Sequence, residues 1–315
     1  MSEELNAITF NGTLINDENC NVDICSLEYA NFTYVPNLAG NIIFVAIFGL
    51  CIPFQLFFGI RHKTWGYMIG MLGGLILEVL GYVGRIQMHF NPFKFDPFLL
   101  YLICLTIGPA FLSAAIYLCL GRIVVVYGDH LSRFKPGTYT IVFVSCDLLS
   151  LVLQALGGAI TATADDDRDK HDMGVNIMIA GLASQVVSLL IFMVLCADFA
   201  FKIKRNSRAT NAALADVRGT LKWKGFLIAL VIATFTIFVR CVFRVAELSE
   251  GFDSHLANDE VTYMILEGAM ISIASIALTI IHPGVAFAGK WDLGNFSFRN
   301  RSTRKGMEKV NQVEV

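Results

Sequence analysis

The segment Gly225-Phe-Leu-Ile-Ala-Leu-Val-Ile-Ala-Thr-Phe-Thr-Ile-Phe-Val239 is apolar, and Arg240-Cys-Val-Phe-Arg-Val-Ala-Glu247 continues it with three charges. Arg240, Arg244 and Glu247 are spaced i, i+4 and i+7, so on a helix their side chains point the same way. An ion inside the hydrocarbon of a bilayer costs roughly 2.5–3.5 kcal/mol even on the lenient insertion scale. The segment therefore predicts a membrane-spanning helix whose charged face looks into protein or water. The alternative is that Arg244 and Glu247 mark the end of the helix at the lipid head groups.

The composition of the whole chain supports a membrane protein. Of its 315 residues 55% are hydrophobic and 16% are charged, and the mean hydropathy is +0.61. A soluble domain carries about 25% charged residues. Seven apolar stretches reach the roughly 20 residues that the bilayer core requires: 38–60, 66–88, 98–121, 138–162, 173–201, 224–247 and 261–288. We predict an all-α fold, a polytopic bundle of seven transmembrane helices.

Positive charges alternate in density between the segments that connect these spans. The segments 61–65, 122–137, 202–224 and 289–315 hold 18 Lys and Arg residues, whereas the N-terminal tail and the other loops hold 3. Cytosolic loops are the ones enriched in Lys and Arg, so we expect the N-terminus outside and the C-terminus in the cytosol. The predicted parts are an extracellular tail, a transmembrane domain and a basic cytosolic tail, at residues 1–37, 38–288 and 289–315.

The N-terminal tail is acidic and contains no Lys or Arg. Without a basic segment it is not a cleaved signal peptide. Asn11-Gly-Thr13 and Asn31-Phe-Thr33 are acceptor sequons, so Asn11 and Asn31 are predicted glycosylation sites if the tail is exported. Cys20 and Cys25 could form a small disulfide there, and whether they pair is open. The eight cysteines include no CxxC, and no metal site is predicted.

The second span combines a glycine seam with two charges. Gly66, Gly70 and Gly74 recur every four residues and favour close helix contact, either within one subunit or between two copies in a homo-oligomer. Glu78 and Arg85 continue the same face, given 100° per residue. Prolines inside spans one, three and seven remove backbone donors and should kink those helices; they are Pro53, Pro109 and Pro283.

Polar residues at corresponding depths in other spans suggest a shared site. Span four has Asp147 and Gln154, span five has Gln185, and span seven has Glu267. Left unpaired, the deep charges would cost on the order of 20 kcal/mol, more than the stability of a fold. We predict a polar, substrate-binding site between spans two, four, six and seven, toward the outer leaflet. Its candidate residues are Glu78, Arg85, Asp147, Gln154, Gln185, Arg240, Arg244, Glu247 and Glu267. The alternative is a set of structural ion pairs without a ligand.

Several functional classes are excluded or disfavoured. No GxxxxGK[ST] motif occurs and the loops are too short for an ATPase domain. No span has a central Lys for a retinal Schiff base, and only His282 among the histidines lies in a span, which disfavours a zinc hydrolase. A rhodopsin-like receptor is disfavoured because span three ends in Gly121-Arg122-Ile123 rather than Asp/Glu-Arg-Tyr. We expect a non-enzymatic protein with no cofactor and no nucleic-acid partner.

Motifs across residues 34–288 resemble those of the fungal RTA-like family, also called the lipid-translocating exporter family. They are Tyr34-Val-Pro36, Glu78-Val-Leu-Gly81-Tyr82-Val-Gly84-Arg85, Pro109-Ala-Phe-x-Ser113-Ala114, Asp147-Leu-Leu-Ser150-x₃-Gln154-x₂-Gly157-Gly158, Gly181-Leu-x-x-Gln185, Arg240-x₂-Phe243-Arg244-x₂-Glu247 and His282-Pro283. The resemblance implies a multi-pass protein of the plasma membrane, tied to lipid asymmetry and to resistance to toxic amphiphiles. We therefore expect export of amphipathic lipids such as sphingoid long-chain bases.

In this interpretation Glu78, Asp147 and Glu267 are the carboxylates that meet the lipid head group, and the three deep arginines are their counter-ions. The alternative is a receptor-like lipid sensor that signals through its cytosolic loops.

Overall fold

Seven long helices make up the computed structural model, which describes residues 9–10, 13–14, 34–128, 132–163, 167–205, 215–250, 259–287 and 291. All seven are long and apolar enough to cross a membrane, which confirms the predicted all-α bundle. The first six are α1 (Leu38–Arg61), α2 (Trp65–Phe90), α3 (Phe95–Tyr127), α4 (Pro136–Ala162), α5 (Arg168–Arg205) and α6 (Leu221–Glu250). The seventh, α7, covers residues 260–280 in three pieces.

The three pieces of α7 are an α-helical turn, a π-helical turn and a longer α-helix. They are Glu260–Tyr263, Met264–Ala269 and Met270–Ile280. A π-turn is rare in soluble and membrane helices and is frequent at functional sites. This one contains Glu267.

Short elements complete the described chain. Two-residue strands β1 (Thr9–Phe10) and β2 (Thr13–Leu14) pair antiparallel in the N-terminal tail. Helical turns at Ala215–Arg218 and Pro283–Ala286 precede α6 and follow α7. The predicted glycosylation sites Asn11 and Asn31 and the cysteines Cys20 and Cys25 lie outside the described residues.

The glycine seam of α2 packs against α3 of the same chain. A Cβ atom built on Gly70 would lie 3.1 Å from the carbonyl oxygen of Phe111, and one on Gly74 would lie 3.0 Å from that of Gly108. Gly66 faces Leu118 of α3 in ordinary contact. The seam is therefore used within the subunit, the first of the two predicted alternatives. This packing offers no support for a homo-oligomer through the same face.

A second close contact joins α4 to α5. A Cβ atom on Gly157 would lie 2.6 Å from the carbonyl oxygen of Gly174, which is closer than Cβ atoms come to non-bonded atoms in proteins. Ser150 and Ser184 share a hydrogen bond of 2.7 Å across the same interface. Small residues thus set the spacing of two neighbouring helix pairs.

Pro53 and Pro109 lie inside α1 and α3, as predicted. Pro283 lies inside the seventh span, Glu260–Ala286, as predicted. The α-helix ends at Ile280, however, so Pro283 is the first residue of a following helical turn and not a kink within one helix. Proline suits that position because its missing N–H has no acceptor to serve there.

Large apolar side chains cover the outside of the bundle. Leu50 is 65% exposed, Ile69 62% and Val231 69%. Exposed apolar surface on every helix is expected where the surrounding solvent is hydrocarbon. The polar side chains point inward instead.

Candidate functional site

An ion pair between Arg240 of α6 and Glu267 of α7 lies in the interior. Both side chains are buried, at 2% exposure. Nε of Arg240 donates to Oε1 of Glu267 over 3.0 Å, and Nη2 donates to the same oxygen over 2.5 Å. Oε2 of Glu267 has no hydrogen-bond partner among the described residues. The pair leaves one carboxylate oxygen available as an acceptor.

Pro109 explains a third bond of the same guanidinium. Since proline has no N–H, the carbonyl of Leu105, four residues earlier in α3, lacks its helical donor. Nη2 of Arg240 donates to that carbonyl. Pro109 was predicted only to bend α3. It also leaves the Leu105 carbonyl free to accept a hydrogen bond from the buried Arg240.

Glu78 of α2 lies beside this pair. It is 2% exposed and close enough to Arg240 and Glu267 to interact electrostatically with both. A Cβ atom on Gly108 would lie 2.8 Å from Oε1 of Glu78, so a larger residue at this position of α3 would displace the carboxyl group. Oε1 has no hydrogen-bond partner among the described residues. Glu78, Arg240 and Glu267 form what we call the carboxylate cluster.

Arg244 and Glu247 continue α6 from the cluster and pair with each other. Nη1 of Arg244 lies 2.7 Å from Oε2 of Glu247, and both residues are 7% exposed. Glu247 is therefore buried within the bundle rather than at a frayed helix end. This pair is close enough to Glu267 to interact with it electrostatically.

Arg85 of α2 lies in a box of three tyrosines. Its guanidinium carbon is 3.9 Å from the ring centre of Tyr263 and 5.1 Å from that of Tyr101. The guanidinium also donates to the hydroxyl of Tyr34 over 3.0 Å. Burial raises the pKa of the Tyr34 phenol above its ordinary value, although the charge of Arg85 opposes this. Cation–π contacts stabilise the buried charge.

The residues before α1 close the bundle at what we call the Tyr34 end. The carbonyl oxygen of Pro36 lies 2.7 Å from Nδ1 of His89 at the end of α2. The N–H of Asn37 donates to Oε1 of Glu260 at the start of α7 over 2.5 Å. Residues 34–37 therefore bridge α2 and α7 above Arg85.

Three predicted site residues lie elsewhere. The carboxylate of Asp147 in α4 accepts a 3.0 Å hydrogen bond from the hydroxyl of Tyr117 in α3, and its other oxygen has no partner among the described residues. Nε2 of Gln154 in α4 lies 3.5 Å from Oε1 of Gln185 in α5. The cluster is thus built by α2, α3, α6 and α7, whereas we expected α4 in place of α3.

The sequence pointed to the ions but missed their uncharged partners. Tyr34, Tyr101, Tyr263 and the Leu105 carbonyl were not predicted as site components. One signal was present for Tyr263, which precedes Glu267 by four residues, the spacing of one helical face. The Leu105 carbonyl could have been found from Pro109 in the same way.

The cluster can bind a cation that donates hydrogen bonds. Two carboxyl groups and one guanidinium give it one negative charge when all are ionised. Two oxygens, Oε1 of Glu78 and Oε2 of Glu267, have no hydrogen-bond donor among the described residues. An ammonium group offers the charge and the donors that such oxygens accept.

Comparison with known proteins gives a consistent result. Residues 71–290 match the family model described as RTA1 like protein. The sphingoid long-chain base transporter RSB1 of Saccharomyces cerevisiae is 36% identical over 283 residues, which covers 81% of this chain and 74% of that protein.

Two further relatives from the same organism are more distant. Protein RTM1 is 26% identical over 220 residues, covering 70% of this chain and 68% of its own length. Protein RTA1 is 24% identical over 277 residues, covering 80% and 84%. No solved structure shows a significant match.

Proposed function

The chain belongs to the RTA1-like protein family, and from this premise we propose that it exports amphipathic lipids such as sphingoid long-chain bases across the plasma membrane. The relative with the highest identity quoted above carries the name of a sphingoid long-chain base transporter. The protein is then a non-enzymatic carrier, and its substrates are membrane lipids.

One observation supports this function over others: the pair of unpartnered carboxylate oxygens in the carboxylate cluster. A sphingoid base has an ammonium group and hydroxyls on a long apolar tail. The ammonium would bind between Glu78 and Glu267, and the tail would lie among the apolar side chains of the bundle or in lipid. Arg240 neutralises one of the two carboxylates, and the bound ammonium neutralises the other.

We assign secondary roles to the remaining site residues. Arg85, Arg244 and Glu247 would hold the Tyr34 end closed over the cluster. Asp147 would offer a third carboxylate, and Gln154 with Gln185 a further polar contact between α4 and α5. Each role is a proposal about residues that the structure places at 0–7% exposure.

The proposed topology puts the Tyr34 end outside the cell and residues 289–315 in the cytosol, following the distribution of Lys and Arg. Glycans on Asn11 and Asn31 would report this orientation. We expect wild-type protein from fungal membranes to shift to lower apparent mass on treatment with an N-glycosidase, and the N11Q/N31Q variant to show no shift. A C-terminal epitope that is accessible on intact cells would contradict the orientation.

The function is tested with purified protein in liposomes and a tail-labelled fluorescent long-chain base. We expect transbilayer movement faster than in protein-free liposomes. Equal rates would reject the carrier and favour a lipid sensor that acts on other transporters. In cells, fluorescently tagged protein should lie in the plasma membrane, and its loss should increase sensitivity to added long-chain base.

A further inference from the structure

A row of buried polar side chains follows the lower part of α7, away from the carboxylate cluster. Ser272, Ser275 and Thr279 fall within 60° on the helical wheel, and His282 follows the end of the helix. Their exposures are 5%, 0%, 6% and 0%. We call these four residues the polar stripe, and the end of the bundle that contains His282 the His282 end.

The stripe faces α1 and α2. Nε2 of Gln55 in α1 donates to the hydroxyl of Thr279 over 3.0 Å, and the hydroxyl of Tyr67 in α2 donates to the carbonyl of Leu278 over 2.9 Å. The remaining buried residues of this helix, Ile271, Ala274 and Leu278, are apolar and fall in the sector of the wheel next to the stripe. The buried face of α7 is therefore divided into a polar half and an apolar half.

Most polar atoms of the stripe have no hydrogen-bond partner among the described residues. They are Oγ of Ser272, Oγ of Ser275 and Nε2 of His282, and Oε1 of Gln55 opposite them shares this state. A helical Ser or Thr ordinarily bonds the carbonyl four residues earlier, as Thr279 does to Ser275 over 2.7 Å. A buried polar atom without a partner is costly, so four in one row require an explanation.

His282 ends the row, and one hydrogen bond determines which of its ring nitrogens is a donor. Its Nδ1 accepts a hydrogen bond from the N–H of Gly284 over 3.1 Å. A neutral ring that accepts at Nδ1 carries its proton on Nε2, so the unpartnered atom is a donor. The rings of Phe58, His62 and Tyr67 surround it at centre distances of 5.3–6.3 Å.

The row follows the carboxylate cluster along α7. From Glu267 to His282 the chain advances 15 residues, roughly 20 Å at 1.5 Å per residue. This is about two-thirds of the hydrocarbon thickness of a bilayer. Unpartnered acceptors and donors are thus available at successive depths, from the carboxylate cluster to the His282 end.

We propose that the polar stripe is the route along which the amino-alcohol head of the transported lipid moves between the carboxylate cluster and the His282 end. This inference rests on the proposed function and extends it. Ser272, Ser275, Gln55 and His282 hydrogen-bond the hydroxyls and the ammonium in turn. Passage requires α1 to move away from α7, and the Gln55–Thr279 bond is the contact that this movement breaks. The lipid tail remains in the membrane beside α1.

The test compares the S272A/S275A variant with S188A. Ser188 of α5 is 7% exposed and its hydroxyl also lacks a partner among the described residues, so S188A makes the same chemical change outside the stripe. Both variants and the wild type are reconstituted in liposomes with a tail-labelled sphinganine. Transbilayer movement and the melting temperature of the purified proteins are measured.

We expect S272A/S275A to slow transport about tenfold, the factor for the loss of one or two neutral hydrogen bonds. Its melting temperature should equal or exceed that of the wild type, because neither hydroxyl bonds any of the described residues. S188A should transport at the wild-type rate.

Wild-type transport by S272A/S275A would overturn the route while leaving the carrier function intact. A slow variant with a lowered melting temperature would also overturn it, since the serines would then be structural. A wild-type protein that does not accelerate sphinganine movement would overturn the proposed function and the route together.

Discussion

Arg240 directs two hydrogen bonds to one oxygen of Glu267, Oε1, and the other oxygen, Oε2, accepts none from the described residues. A bidentate pair would have occupied both oxygens, as arginine and carboxylate commonly do. The third bond of Arg240, to the Leu105 carbonyl, accounts for the difference because it holds the guanidinium toward α3. A salt bridge in the membrane interior is thereby combined with an acceptor for a second cation.

Replacing Glu78 by Gln removes a negative charge from the cluster and keeps the shape of the side chain. We expect E78Q to slow transport of a long-chain base at least about tenfold, which corresponds to roughly 1.4 kcal/mol. Thermal stability should be unchanged because Oε1 accepts no hydrogen bond in the described structure. The liposome assay measures the transport rate, and thermal unfolding in detergent measures the stability. D198N is the control, since Asp198 pairs with Arg133 and Lys202 at the far end of α5; full transport by E78Q would refute the role of Glu78.

Breaking the Arg240–Glu267 pair on one side should be more harmful than removing both partners. We expect R240M to lower the free energy of unfolding by about 3–5 kcal/mol, because it leaves Glu267 buried and unpaired. The double variant R240M/E267L should recover most of that loss. Thermal unfolding of the wild type, R240M, E267L and R240M/E267L in one detergent completes the double-mutant cycle. Additive losses would show that the two residues are not coupled.

Pro109 should matter through the carbonyl that it leaves without a donor. In P109A the new N–H can bond the Leu105 carbonyl and compete with Arg240. We expect slower transport with little loss of stability, because a helical bond replaces the charged one. P53A is the matched control: it restores the same kind of bond in α1, where Gly49 supplies the carbonyl. Equal transport by P109A and wild type would contradict this explanation.

At Tyr263, the aromatic ring should contribute more to the stability of the protein than the hydroxyl group does. Its hydroxyl has no hydrogen-bond partner among the described residues, so Y263F should unfold at the wild-type temperature. Y263L removes the ring that lies 3.9 Å from Arg85 and should cost about 2 kcal/mol, the value for a desolvated cation–π contact. Thermal unfolding measures both. Equal stability of Y263L and Y263F would show that the ring contributes no cation–π energy.

Gly157 and Gly49 offer a matched test of helix spacing. A methyl group on Gly157 would meet the backbone of Gly174 and Met178, and G157A should lose about 1–3 kcal/mol, as overpacked cores do. Gly49 has no atom within 4 Å of the corresponding position, and G49A should be neutral or gain up to about 1 kcal/mol of helix propensity. A stable G157A would mean that α4 and α5 separate at little cost.

Sequence alone was sufficient to predict the number and order of the helices. A helix that crosses the hydrocarbon core needs a long apolar segment, and the loops contain none. It placed helix ends less well. α3 continues to Tyr127 and stops where Gly128 adopts a positive φ of 121°, six residues past the predicted boundary. α5 continues to Arg205 because polar residues can extend a helix beyond the membrane.

The charged members of the site were predictable because an ion in an apolar segment is conspicuous. Their grouping was less so, since it depends on which helices are neighbours and on how each is rotated. Asp147 bonds Tyr117 of the adjacent helix, and no periodicity within α4 contains that information. Arg85 was predicted as a counter-ion of the carboxylates, and the sequence did not indicate the three aromatic rings that surround it.

The π-turn at Met264–Ala269 separates α7 into two lengths of helix with independent angular phase. A π-turn contains one residue more than an α-turn, and each residue corresponds to about 100° of rotation. Glu267 lies within it, and Ser272, Ser275 and Thr279 belong to the helix that follows. One added residue therefore sets the azimuth of the carboxylate relative to the hydroxyls below it. Deleting a single residue there would turn one set away from the other while leaving each set internally unchanged.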